Sequence, residues 1–328
     1  MAKRTMVEAL NLALDEALAA DEQVCLMGQD IGVNGGVFRV TKGLQAKHGA
    51  DRVIDSPLAE CGIIGTAVGM AVYGMKPVAE IQFSGFTMQA FDQIEQNMAR
   101  LHNRTQGRFP IRMVLRTPYG GGIRAVEHHS ESREAYWAHT PGLKVVIPSG
   151  PRNARSLLAA AIADPDPIIF YEPKSVYRAF REEVPDAPES LEIGKAQVVH
   201  EGADVTIVSF GAMMRPAMEA VEDLAEVHGI EAELIDLLTV SPIDTETLVA
   251  SVTKTGRCII FHEGHQTCGI GAEVAARLAE SGAFEYLVAP LRRLTAPDLP
   301  YPFFQVEQHF LPDAEDILAA AKELVEWT

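Results

Sequence analysis

Two consecutive α/β domains, each a mostly parallel sheet flanked by helices, are the fold class this sequence predicts. Three observations carry that expectation. At 328 residues the chain is about twice an ordinary domain length. Short β-type runs alternate with helical stretches almost throughout, the pattern of crossover connections between parallel strands. One polar, proline-rich stretch, "EEVPDAPESLEIGKAQVVHEGAD" (182–204), interrupts the alternation, which then restarts. The expected boundaries are 1–184 for the first domain, 185–203 for the linker and 204–328 for the second domain.

Taken in order, the first element is a helix. Val7, Leu10, Leu14 and Leu18 recur at helical spacing, and "TMVE" (Thr5 to Glu8) reads as a capping box. Lys3 and Arg4 resemble the start of a signal peptide, but Glu8, Asp15 and Glu16 break the apolar run such a segment needs. Buried strands follow at "VCLMG" (24–28), "VAEIQF" (78–83), "IRMVLR" (111–116), "LKVVIP" (143–148) and "PIIFYE" (167–172). Helical stretches lie between them near 61–74, 86–104, 131–138 and 151–163, the last opened by Pro151. Beyond the linker come strands "VTIVSFG" (205–211), "AELIDL" (232–237) and "RCIIFHE" (257–263), each followed by a helix, and a final helix near 313–327. Ligands of such sheets sit at the carboxyl ends of the strands, where the loops gather.

Composition narrows the function classes. With 47% hydrophobic residues the chain can fill two cores, and no apolar run approaches the roughly 18 residues of a membrane span. Basic residues number 28 against 45 acidic, so the net charge of −17 repels nucleic acid and anionic lipid. That charge serves solubility or docking to a basic partner. Cys25, Cys61, Cys258 and Cys268 are scattered without a CxxC pair, which suits a reducing cytoplasm better than a disulfide framework.

Four stretches carry candidate chemistry. In "SPLAECGIIGTAVGMAVYGM" (56–75) Glu60 is the one charge, ahead of Gly62, Gly65, Gly69 and Gly74. Read alone, Glu60 is first a simple cap, a carboxylate favoured by a helix dipole, and only second one that faces a ligand. Glycine in a helix costs about 1 kcal/mol relative to Ala, so Gly62, Thr66, Gly69 and Ala71 imply close packing against another helix. In "AEIQFSGFTMQAFDQI" (79–94) Gln82 and Phe86 lie around a strand's carboxyl end; Phe86 is either a core aromatic or a ring for a ligand. In "RTPYGGGIRAVEHHSESREAYW" (116–137) the glycines 120–122 free the backbone to approach a ligand or move. His128 and His129 then offer an imidazole for proton transfer, with Ser130 as an N-cap. Finally, His262, His265 and Cys268 in "FHEGHQTCGIG" (261–271) have steps compatible with zinc, although a structural zinc site wants four ligands. No GxGxxG or GxxxxGK[ST] phosphate loop occurs.

"SPLAECGIIGTAVGMA", "AEIQFSGFTMQAFDQI", "GGGIRAVEHHSES" and "TPGLKVVIPSGP" resemble the β chain of the thiamine-diphosphate-dependent, decarboxylating component of 2-oxo acid dehydrogenase complexes, a transketolase-like family. "DVTIVSFGAM" and "LIDLLTVSPID" extend the resemblance to the carboxy-terminal transketolase-type domain, so it covers nearly the whole chain. It implies a pyrimidine-type cofactor-binding domain followed by that second domain. It implies that Glu60 hydrogen-bonds the aminopyrimidine of thiamine diphosphate and favours the tautomer whose nitrogen deprotonates the thiazolium carbon. Partial desolvation of such a Glu raises it from about 4.3 toward a useful range. By the same implication Phe86 stacks on the aminopyrimidine and Gln82 lines its pocket. One of His128 and His129, with His129 favoured because it precedes "SES", assists acyl transfer to a lipoyl arm.

The resemblance also implies partners. Single-chain relatives carry a GDG sequence and a downstream Asn for magnesium and diphosphate, and this chain has no GDG. The implied Mg²⁺ site therefore belongs to an α subunit, in an assembly of two α and two β chains active only together. A lipoyl-bearing acyltransferase core receives the acyl group, with no nucleic acid and no membrane involved. A structural potassium ion held by backbone carbonyls near "AIADPDP" (161–167) is admitted by the same analogy. Pyruvate and branched-chain 2-oxo acids both remain open as substrate. An acetoin dehydrogenase β subunit and a non-catalytic scaffold of the same fold are the alternatives.

Overall fold

The structure, a computed structural model, describes residues 1–327. A short strand β1 (Ala2–Arg4) leads into helix α1 (Met6–Ala20). Its start is the expected capping box: the Thr5 hydroxyl accepts from Glu8 N–H at 3.3 Å and Glu8 accepts from Thr5 N–H at 2.8 Å. Val7, Leu10, Leu14 and Leu18 are all buried. Then come β2 (Val24–Gln29), α2 (Leu44–His48), β3 (Val53–Ser56), α3 (Glu60–Val72) and β4 (Lys76–Glu80). A short helix α4 (Leu101–Arg104), β5 (Val114–Tyr119), α5 (Glu127–Ser130) and α6 (Glu134–Ala138) follow. The first half closes with β6 (Lys144–Val146), α7 (Pro151–Ala163), β7 (Ile168–Pro173) and β8 (Glu182–Val184), which pairs with β1.

The second half contains β9 (Gln197–His200), β10 (Val205–Ser209), α8 (Met214–Asp223), β11 (Ala232–Asp236) and β12 (Thr239–Ser241). It ends with α9 (Thr245–Thr255), β13 (Cys258–His265), α10 (Ile270–Ala279), β14 (Arg292–Ala296) and α11 (Ala314–Val325). Two larger sheets result, ordered β12-β6-β7-β5-β4-β2-β3 and β14-β13-β10-β11-β9. Every pairing in them is parallel except β12 with β6 and β9 with β11. Strands buried on both faces are largely apolar, and the polar residues they do carry, such as Arg116 in β5, Glu172 in β7 and Asp236 in β11, are met by partners in the interior.

Three cores hold the layers together. One lies under α1 and α7, which pack on each other across a face of the first sheet. Another lies under α8 and α11 on the second sheet. Between them a shared core joins Ile63, Ile64 and Ala67 of α3 to Val208, Ile235 and Leu248 of the second half. The segment carrying β12 also adds a strand to the first sheet, so the halves are interlocked.

Three local expectations are corrected. The stretch 86–104 is not one regular α-helix: a 3₁₀ segment (Ser84–Ala90) and a π segment (Gln93–Met98) precede α4. Ser130 is not an N-cap; it ends α5, and its buried hydroxyl has no hydrogen-bond partner. In α3, Gly62, Thr66 and Gly69 do form a thin exposed face, but Ala71 points into the core.

Candidate active site

Because β2, β3, β4 and β5 run parallel, their carboxyl ends open on one edge, and the candidate residues follow those ends. Glu60 is the first residue of α3, just beyond β3, where a carboxylate is favoured by the helix dipole. No side chain caps this helix end, and Glu60 itself is half-buried with no hydrogen bond or ion pair among the described residues. Gln82 lies just past β4, and its amide donates to the Asp30 carboxylate at 3.3 Å beyond the end of β2. Phe86 follows in the 3₁₀ segment, half-buried.

The adjacent histidines separate as their side chains diverge. His128 is exposed, with Nδ1 3.5 Å from Glu131. His129 turns inward: its ring centroid is 4.2 Å from that of Phe83 and 5.5 Å from that of Phe86, both edge-on. Burial first, then the charges of Lys174 and His128, pull His129 below the ordinary histidine range. Gly85 explains the "SGF" turn. A Cβ there would lie 2.5 Å from the His128 carbonyl oxygen, so a glycine is required for α5 to back onto the turn. Ser84 ties the same elements by donating to the Glu131 carbonyl at 2.8 Å. Phe86 and His129 are thus brought together, whereas Glu60 and Gln82 stand along the same edge beyond the ends of β3 and β4, with β2 between those strands.

Behind this edge the sheet carries a buried charge cluster. Arg116 on β5 reaches Glu80 on β4 at 2.7 Å and clasps both oxygens of Glu172 on β7, at 2.7 and 2.9 Å. Tyr177 donates to Glu172 at 2.6 Å. The carboxylates hold the guanidinium firmly charged despite its burial. Burial raises Glu172, against the opposing pull of Arg116.

Several residues on this edge escaped sequence reasoning. Phe83, whose ring packs edge-on against both Phe86 and His129, reads in the sequence as the last residue of a strand. Asp30 was one charge in a loop, although its positive φ of 59° marks a constrained position. Lys174 is buried behind Phe83, its Nζ 5.9 Å from the ring centroid.

The zinc pattern does not assemble. His262 is buried, with both ring nitrogens beside backbone N–H groups of Gly264 and Gly271, and burial pulls it down to about 4. His265 contacts the Leu299 carbonyl, and Cys268 is exposed. Among the described residues no group of three His, Cys, Asp or Glu side chains could hold a metal ion. At 161–167 the carboxylates are already met by an ammonium: Lys144 Nζ is 2.8 Å from Asp164 and 3.1 Å from Asp166. A cleft of about 550 Å³ lined by Arg152, Phe180, Met214 and Asp236 lies elsewhere, between the halves. Its Asp236 is bonded to Ser149 and lacks an aromatic–imidazole set beside it.

An unengaged carboxylate, an aromatic ring, an amide and an imidazole on one sheet edge fit a planar, nitrogen-rich heterocycle. Among the described residues, no helix is long and apolar enough to cross a membrane.

Comparison with known proteins identifies the family. Residues 2–179 match the family described as "Transketolase, pyrimidine binding domain", and residues 194–317 match "Transketolase, C-terminal domain". The chain is 49% identical over 327 residues to "Pyruvate dehydrogenase E1 component subunit beta" of Staphylococcus epidermidis, covering all of both chains. It is 48% identical over 327 residues to the protein of the same name from Staphylococcus aureus, again over the whole of both. Among solved structures it is similar to "Split gene transketolase, inactive beta4 tetramer", with a TM-score of 0.78, 24% identity and 99% of each chain covered; that likeness speaks to fold.

Proposed function

This chain belongs to the transketolase-like family of pyruvate dehydrogenase β subunits, and on that premise we propose that it works as one half of a 2-oxo acid dehydrogenase. In this reading it binds the aminopyrimidine half of thiamine diphosphate at an interface with an α subunit, two of each chain assembling together. It then passes the acyl group to a lipoyl arm of an acyltransferase core. Pyruvate is the substrate the relatives' name favours. The carrying observation is the set of Glu60, Gln82, Phe86 and His129 along one edge of a parallel sheet, with no metal-ligand set beside it.

When bound, thiamine diphosphate supplies the carbon that adds to the 2-oxo group and accepts the electron pair left by departing carbon dioxide. Glu60 holds and returns a proton at the pyrimidine ring, which requires an acceptor not already engaged within the chain. Phe86 offers its ring and Gln82 its amide to the heterocycle. His129 moves a proton at the lipoyl sulfur; its environment already weakens its hold on that proton. The α subunit would provide the Mg²⁺–diphosphate ligands, because this chain carries no GDG sequence and Mg²⁺ takes several oxygen ligands in near-octahedral geometry. A structural potassium site near 161–167 is part of the same reading and would rest on carbonyl oxygens, since Lys144 already neutralises the carboxylates there.

The test is Glu60→Gln in the complex reconstituted with its α subunit. Decarboxylation, followed with an artificial electron acceptor, is expected to fall by about 10²–10⁴-fold, the range for a lost acid–base group. Assembly should persist, since Glu60 makes no bond within the chain. Near wild-type turnover would refute the assignment.

A further inference from the structure

The second half of the chain reaches the loop ahead of His129 through two acidic side chains. Glu263, buried in β13, accepts from the backbone N–H of Gly121 at 2.7 Å. Glu307 accepts from Gly122 N–H at 2.7 Å and from the Tyr301 hydroxyl at 2.5 Å. A Cβ at Gly120 would lie 2.5 Å from Glu263 Oε1, so the carboxylate presses directly on this loop. Downstream, Val126 adopts φ 58° and ψ −170°, a conformation that β-branched residues avoid. The loop is therefore held in place from the other half of the molecule, against its own local preference.

The same loop borders a buried amine: a Cβ at Gly122 would lie 3.3 Å from Ser175, the residue after Lys174. Lys174 follows β7; it is 5% exposed, and its Nζ has no hydrogen-bond partner. Nζ stands 5.9 Å from the centroid of Phe83, whose ring is 4.2 Å from that of His129. We propose that Lys174 is a positioning residue for His129, its ammonium balanced by Glu263 and Glu307 of the second half and presented to the imidazole past the Phe83 ring. This rests on the reading that His129 acts in acyl transfer.

The electrostatics run in the direction such a role needs. Burial pushes Lys174 down to about 7, while Glu263 and Glu307 pull it back up. Burial raises Glu263, which Lys174 and the Gly121 N–H oppose. Burial pushes the nearby Glu134 up to about 7, with Glu263 adding to the effect. On the other side, His129 feels burial, Lys174 and His128, and Glu131 is already engaged by Arg133. Two positive charges so close in a poorly solvated site disfavour each other. A proton on His129 is therefore readily given up, chiefly through burial, and residues of the second half act on the Lys174 contribution to that bias.

The measurement is the titration of His129 in the assembled complex, by NMR of ¹³C-histidine in this chain with unlabelled α subunit. Lys174→Met keeps length and removes charge. At pH 6 the ratio of protonated to neutral His129 should rise roughly three- to tenfold, as expected for removing one charge at about 10 Å in a protein medium. Glu307→Gln leaves an oxygen to accept from Gly122 and Tyr301 but weakens the hold on the ammonium; it should raise the ratio in the same direction by less. Should Lys174→Met fail to assemble, the Glu307→Gln titration decides. An unchanged His129 titration in whichever variants assemble overturns the proposal. Coupling in the titration together with undiminished lipoyl acylation by His129→Ala would instead leave the coupling standing and remove the role assigned to His129.

Discussion

Replacing Arg116 with Met removes the guanidinium bonded to Glu80 and Glu172, three side chains that are at most 8% exposed. Met roughly fills the space of the aliphatic stem, so the change acts through charge more than through a cavity. Breaking one buried ion pair from one side costs about 3–5 kcal/mol, because the remaining charge is left uncompensated. Here one guanidinium serves two carboxylates, and the Tyr177 hydroxyl keeps only Glu172 partnered. A loss at or above the top of that range, about 5 kcal/mol at pH 7, is therefore expected. The pH dependence follows from the direction of the shifts. Without Arg116 only the Tyr177 bond opposes the burial that already raises Glu172, so this carboxyl should bind its proton more tightly folded than unfolded. Such groups weaken the fold as pH rises through their unfolded value near 4.3, so the gap to wild type should widen from about pH 4 to 7 and nearly close below it. Denaturant unfolding of the assembled protein at several pH values measures this. A deficit below about 1 kcal/mol at pH 7, or one independent of pH, would refute the account of this cluster.

Two further substitutions address the site. His129→Ala should spare decarboxylation with an artificial acceptor while lipoyl acylation falls by about 10²–10⁴-fold, the effect of a lost proton donor; equal losses in both assays would remove its special role. Gly85→Ala places a methyl 2.5 Å from the His128 carbonyl. It should displace α5, lower stability by about 1–3 kcal/mol as overpacking does, and depress acylation more than decarboxylation. An unaltered protein by thermal melting and by both assays would mean that the turn is less tightly backed than its geometry indicates.

Much of the architecture was legible because parallel strands buried on both faces write themselves as predominantly apolar runs, as in "VCLMG" and "PIIFYE". The Thr5–Glu8 capping box was readable for the same reason: its two bonds depend on residue type at a fixed spacing. The stretch after Phe86 misled because apolar periodicity marks a face without specifying which carbonyl each N–H finds, so 3₁₀ and π turns look like an α-helix. The addition of β12 to the first sheet is a long-range pairing with no local signature. Among candidate site residues, Gln82, Phe86 and His129 stood out by lying at strand ends or in adjacent pairs. Lys174, Glu263 and Glu307 did not, since their meaning comes from contacts across the two halves. A cue did exist for Glu263: an acidic residue inside the apolar run "CIIFHEGH" must find a partner in the interior.

The central claim is that this chain holds one half of a cofactor site and needs another chain for the other half. Calorimetric titration with thiamine diphosphate and Mg²⁺ tests it directly, first on the chain alone and then on its mixture with the α subunit. The account predicts no tight binding by the lone chain, which carries net charge −17 and no metal-ligand cluster among the described residues, and magnesium-dependent binding once the α subunit is added. Micromolar, magnesium-dependent binding by the lone chain would contradict it.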